Sequence, residues 1–127
     1  MQTKDQELLT ELRTKIAQDK VQGNAGLDDL SNKIRVWGIE KGIHKSDSRA
    51  QFLKVVEELG EIAAALARGD EFEFKDAVGD TFVTLDLLAL GRGYTMEECV
   101  GQAYDVIKGR TGQTVDGIFL KSEDIKE

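Results

Sequence analysis

No proline occurs anywhere in the 127 residues, so little in this chain can stop a helix except its glycines. Between those glycines, apolar residues return at helical rather than strand spacing. One segment, about Asp5 to Lys20, sets Leu8, Leu9, Leu12 and Ile16 along one side, and Gln22-Gly23-Asn24-Ala25-Gly26 breaks it. A second, about Leu27 to Lys41, puts Leu30, Ile34 and Trp37 on one face and stops near Gly42. A third helix is predicted from Ser48 to Gly69, with Gln51 completing a capping-box pattern at its start. Asp70 with Glu73, and Thr95 with Glu98, repeat that signal for helices ending at Gly91 and near Gly109. Asp116-Gly117 suits a tight turn and a short hairpin in the tail. The short break at Gly69 predicts a central antiparallel helix hairpin. The expected fold is an all-α bundle of about five helices with a short C-terminal tail or hairpin, in one domain over 1–127.

Composition narrows the function class. Hydrophobic residues at 40% and charged residues at 32% fit a soluble globular chain rather than a disordered one. No apolar run reaches the roughly 18 residues of a membrane span, and Met1-Gln2-Thr3-Lys4-Asp5 has no secretory pattern. The single cysteine, Cys99, has no internal partner, which points to a reducing cytoplasm. With 24 acidic and 17 basic residues the formal charge is −7, a poor match for a nucleic-acid backbone. Acids committed to holding cations would fit that balance better.

The acids are patterned. The third helix carries Glu57-Glu58-Leu59-Gly60-Glu61 and the fourth Asp76-Ala77-Val78-Gly79-Asp80. At about 100° per residue, Lys54, Glu57, Glu58 and Glu61 share a face. Phe52, Val55, Val56, Leu59, Ile62, Ala63 and Leu66 form the expected core stripe on the other side. Folding at Gly69 sets Glu58, eleven residues before it, level with Asp80, eleven after; Glu61 and Asp76 match in the same way. Four or five carboxylates converging there repel one another unless protons or cations neutralise them.

A lone Glu-Glu-x-x-Glu is ordinarily a solvated face. The fourth helix argues otherwise. Val78, Phe82, Leu85 and Ala89 make one apolar stripe on it, while Asp76 and Asp80 lie opposite, in line with Val83 and Leu87. A helix apolar on both sides belongs inside a bundle or an oligomer interface, where acids need partners, and hard divalent cations are the usual ones. The di-iron Glu-x-x-His pattern, the calcium loop, zinc-type cysteine pairs and the Walker P-loop are all missing from the sequence. Magnesium or manganese acting on a phosphate-bearing substrate remains.

The run Gln51-Phe52-Leu53-Lys54-Val55-Val56-Glu57-Glu58-Leu59-Gly60-Glu61, followed by Asp76-Ala77-Val78-Gly79-Asp80, resembles the MazG-like pyrophosphohydrolases of the all-α NTP pyrophosphatase superfamily. The stretch Ala103-Tyr104-Asp105-Val106-Ile107-Lys108-Gly109-Arg110-Thr111-Gly112 is similar to that family's next helix and exit. Small stand-alone and phage-encoded members are the nearest in kind. The likeness covers about Leu27 to Phe119 (core 27–119) and leaves 1–23 as an extra helix. It implies Mg2+-dependent hydrolysis of a nucleoside triphosphate to monophosphate and pyrophosphate, in the cytoplasm of the cell or of a phage's host. It further implies Glu58, Glu61 and Asp80 as metal ligands, with Glu57 as ligand or base. The family's motif has a glutamate where this chain has Ala77, and Asp76 is the substitute ligand.

Under that likeness Glu57 or Glu61 would take the proton from the attacking water. Lys54, Lys108 and Arg110 would contact phosphate, and Trp37 would stack on the base. Homodimers or homotetramers are expected. The plain alternatives are a core Trp37, Lys108 and Arg110 as charges at a helix C-terminus, a surface His44, a small buried Cys99 and Arg92 on a turn. Two rival functions stand beside the hydrolase: a catalytically idle helical partner-binding module, and the same fold with a specialised substrate of the dUTP or phosphoribosyl type.

Overall fold

The computed structural model describes residues 3–22 and 26–125. Five α-helices occur among them: α1 (Thr3–Gln22), α2 (Leu27–Glu40), α3 (Ser48–Arg68), α4 (Glu71–Gly91) and α5 (Met96–Ile107). A two-stranded antiparallel sheet follows, β1 (Gly112–Val115) paired with β2 (Ile118–Lys121) from Gly112↔Lys121 to Val115↔Ile118. Short 3-10 turns occupy Ile43–Lys45 and Ser122–Asp124. The expected break over residues 23–25 lies outside the described residues. The chain forms two compact units, one up to Met96 and one from Glu97 onward.

In the first unit α1 packs on α2, α2 on α4 and α3 on α4. Leu9, Leu12, Ile39, Leu87 and Leu90 make the buried core, with Leu8, Ile34, Val36, Ile43 and Val83 against it. Each such aliphatic side chain contributes about 1.5–3 kcal/mol. Gly38 lets α2 approach α4, because a Cβ there would collide with Leu87. The Gln51 Nε2, near the start of α3, donates to the Thr84 carbonyl late in α4 at 3.2 Å. Thr111 to Ser122 close the hairpin of the second unit, where Asp116 (φ 52°) and Gly117 (φ 79°) take the paired positive φ of a type I′ turn.

Several local expectations need correction. The cap of α3 is Asp47 rather than Ser48: its Oδ1 accepts from the Arg49 and Ala50 N–H groups at 2.8 and 3.4 Å. A carboxylate there answers both the open N–H groups and the positive helix end. Asp70 caps α4 as expected, accepting from the Glu73 N–H at 3.0 Å. The predicted core stripe of α3 is only partly buried. Val55 is inside and Ile62 half-buried, whereas Phe52, Val56, Leu59 and Leu66 face outward in this single chain. On α4, Val78 and Leu85 are likewise exposed. The core is filled by α1, α2 and α4, so α3 buries one strip against α4 and leaves the next one bare. Leu30 and Trp37 are exposed for a similar reason: α2 buries its Asp29, Arg35, Gly38 and Ile39 side instead. Cys99 is exposed, not buried.

Candidate metal and phosphate site

The acidic residues of α3 and α4 come within electrostatic reach of one another. The Glu58 carboxyl is held above its ordinary value, first by partial desolvation and then by Asp80, Glu61, Glu57 and Asp76 in turn. Asp80 is raised as well, by desolvation, by the charge of Asp76 one turn away and by a hydrogen bond shared with Asp76. Like charges at this range favour a neutralising proton or cation. Asp76 therefore acts with Asp80. Ala77, where the family motif has glutamate, is buried at 4% exposure beside it.

The donor set is entirely carboxylate oxygen, the chemistry that suits magnesium or manganese rather than zinc or iron. The raised carboxyls of Glu58 and Asp80 fit a divalent cation in kind. Among the described residues, however, no three of these side chains stand close enough together to form a ready ligand cage. Mutual repulsion of exposed carboxylates is the physical reason such side chains spread.

The cations expected at phosphate differ in their availability. Lys54 Nζ lies 3.3 Å from Glu57 on the same helix, and Lys108 Nζ, just past the end of α5, lies 3.0 Å from Asp105, so each already has a partner. Arg110 belongs to the second unit and has no ion pair among the described residues. Trp37 is 49% exposed on α2, so the simple core reading does not describe it. His44 is not a plain surface residue either: its side chain is 13% exposed and meets Asp5 of α1 at 3.2 Å, with Lys45 also reaching Asp5 at 3.7 Å.

Sequence reasoning missed a further carboxylate on α4. Asp86 is fully buried at 0% exposure, and its Oδ2 accepts from the Ser31 hydroxyl of α2 at 2.6 Å. Burial raises its carboxyl, while Ser31 and the charge of buried Arg35 lower it. Asp86 Oδ1 and Arg35 Nε are buried with no hydrogen-bond partner. The available signal was a lone acid within Thr81-Phe82-Val83-Thr84-Leu85-Asp86-Leu87-Leu88, where an unpaired charge would be costly.

No family model matches the chain, and no solved structure does. The chain is 33% identical over 66 residues to an uncharacterized 18.2 kDa protein from the rep-hol intergenic region of Haemophilus phage HP1 (strain HP1c1). That match covers 51% of this chain and 40% of the phage protein. The chain thus spans about two fifths of its relative's length. No helix among the described residues is long and apolar enough to cross a membrane.

Proposed function

We propose that this chain is a MazG-like hydrolase that cleaves nucleoside triphosphates, ribo- or deoxyribo-, between the α- and β-phosphates. The observation that carries the reading is the Glu58 carboxyl, which feels Asp80 and Asp76 of α4 as well as Glu57 and Glu61 of its own helix. Acids from two helices that repel one another fit a built cation site better than a solvated surface. Glu58, Glu61, Asp80 and Asp76 would hold magnesium (manganese is an acceptable substitute), with Glu57 as a further ligand or the base. When bound, the metal would neutralise phosphate oxygens and acidify a water molecule. Glu57 or Glu61 would accept the proton of that water. Within the first unit, Lys54 would provide charge for the phosphates and the exposed Trp37 a ring for the base.

The finer architecture belongs to the same proposal. The 3.2 Å bond from Gln51 to Thr84 supports an antiparallel α3–α4 hairpin. Phe52, Val56, Leu59 and Leu66 of α3, with Val78 and Leu85 of α4, are exposed apolar residues of the kind a homodimer or homotetramer covers. The phage relative fits a host-cytoplasm setting.

That apolar face also favours a second reading, an idle partner-binding helical module whose acids are merely solvated. Incubation with each common NTP and dNTP, with magnesium or EDTA, separates the two when products are resolved by anion exchange. Monophosphate plus pyrophosphate, only with metal, is the expected result and would also name the base. Diphosphate plus phosphate would place cleavage at the wrong bond. No turnover of any nucleotide would move the weight to a dUTP- or phosphoribosyl-type substrate outside the panel, or to the idle module.

A further inference from the structure

The unit from Glu97 onward carries a pocket of its own, about 380 Å3, lined by Val106, Arg110, Thr111, Lys121, Ser122 and Glu123. Its frame is fixed by the hairpin. The Ser122 N–H donates to the Thr111 carbonyl at 2.9 Å, Lys121 pairs with Gly112 in the ladder, and the Thr111 and Ser122 hydroxyls lie 2.7 Å apart. In such a hydroxyl pair one O–H donates to the other oxygen, and the acceptor keeps its own proton free to donate outward. Arg110 and Lys121 have no ion pair among the described residues, whereas nearby Lys108 is held by Asp105 at 3.0 Å.

Two uncommitted cations and a spare hydroxyl proton on a preset frame match a multivalent oxyanion. We infer that Arg110, Thr111, Lys121 and Ser122 form a binding site for a phosphate-class anion, such as a pyrophosphate group. The site goes beyond the hydrolase reading, because it brings in Lys121 and the two hydroxyls and needs no metal or turnover to exist. Glu123 sits on the same lining and opposes an anion, so its charge limits the affinity. The formal charge of −7 favours a small phosphate compound over a nucleic-acid backbone.

The test is an amide NMR titration of the full chain with sodium pyrophosphate, in EDTA and at fixed ionic strength. Saturable shifts at Thr111 and Ser122 are expected. The R110Q/K121Q double variant should weaken binding by about tenfold or more, and E123Q should tighten it a few-fold. All three positions are exposed or half-buried, and unchanged amide positions elsewhere would show that the variants are folded. Shifts that never saturate, that survive R110Q/K121Q, or that chloride reproduces at equal ionic strength would each overturn the site. An active enzyme whose double variant still binds pyrophosphate normally would overturn the pocket and leave the hydrolase standing. An inactive chain with an intact, substitution-sensitive pocket would do the reverse.

Discussion

Asp80 and Asp86 sit six residues apart on α4, and both carboxyls are pushed upward. The causes differ. Asp86 is buried among core side chains and is relieved from within the protein, by the Ser31 hydroxyl and the Arg35 charge of α2. Asp80 is solvent-facing, and what surrounds it is more acid: Asp76 on its own helix and Glu58 across on α3. A charge compensated internally holds a fold together; a charge left opposed by its own kind waits for something from outside. That contrast separates the structural acid of α4 from the acid proposed to bind a cation.

The largest effect should come from breaking the internal compensation. Arg35→Leu removes a buried guanidinium whose charge lowers the Asp86 carboxyl without bonding to it, and should lower stability by up to about 3 kcal/mol in a urea titration. Replacing both, Arg35→Met with Asp86→Leu, should recover part of that loss, since it also removes the buried carboxylate whose Oδ1 has no hydrogen-bond partner. If the double variant is as unstable as the single one, Asp86 supports the fold by more than its electrostatic relief from Arg35.

Next in size is the external side. Asp80→Asn should reduce nucleotide hydrolysis by at least about 100-fold, the upper range for losing even an outer partner of a metal. Its fold should be kept. The same comparison on Asp76 asks whether it replaces the glutamate absent at Ala77. Unchanged turnover of Asp76→Asn would remove it from the ligand set.

The acid pair also sets a pH dependence. Glu58 and Asp80 have folded values above their ordinary ones, so the folded state binds more protons than the unfolded chain in the window between. Their unfavourable contribution is absent below the ordinary carboxylate range, near pH 4, and grows as pH rises through the shifted values. Asp86 carries the same sign. In EDTA, thermal stability attributable to these groups should therefore fall between about pH 4 and neutrality. The Glu58→Gln/Asp80→Asn variant should show a flatter profile.

The smallest effect is expected at Ser31. Ser31→Ala removes the 2.6 Å bond to a buried carboxylate and should cost about 1.5–3 kcal/mol, without changing the response to metal. A loss of metal response in that variant would mean that the two acids of α4 are not independent.

Much of the helical order was legible, because glycine punctuation and capping acids are local signals. Gly69, at φ 67°, ends α3 as the chain reading requires, and Asp70 starts α4. The hairpin turn at Asp116-Gly117 is another such case. Burial was less legible. A helical stripe reveals that residues share a side, not which side meets the core, so Phe52, Val56 and Leu59 were read as interior and lie exposed in the single chain. The spacing from Gly69 made the electrostatic approach of Asp80 to Glu58 readable, but not that no three of the acids come together among the described residues. The Ser31–Asp86 contact spans 55 positions and depends on how α2 crosses α4, which no local pattern states. The commitment of Lys54 to Glu57 was hidden for a simpler reason: both were placed on one face, but their 3.3 Å pairing is a side-chain choice.

The most direct test of the α3–α4 acids as a cation site is thermal unfolding at neutral pH, with magnesium or with EDTA, on the parent and on Glu58→Gln/Asp80→Asn. Magnesium should raise the midpoint of the parent and leave the variant unmoved, while the variant in EDTA should be at least as stable as the parent in EDTA. Equal midpoints for the parent with and without magnesium would contradict the cation site, and would leave those acids as an ordinary solvated face.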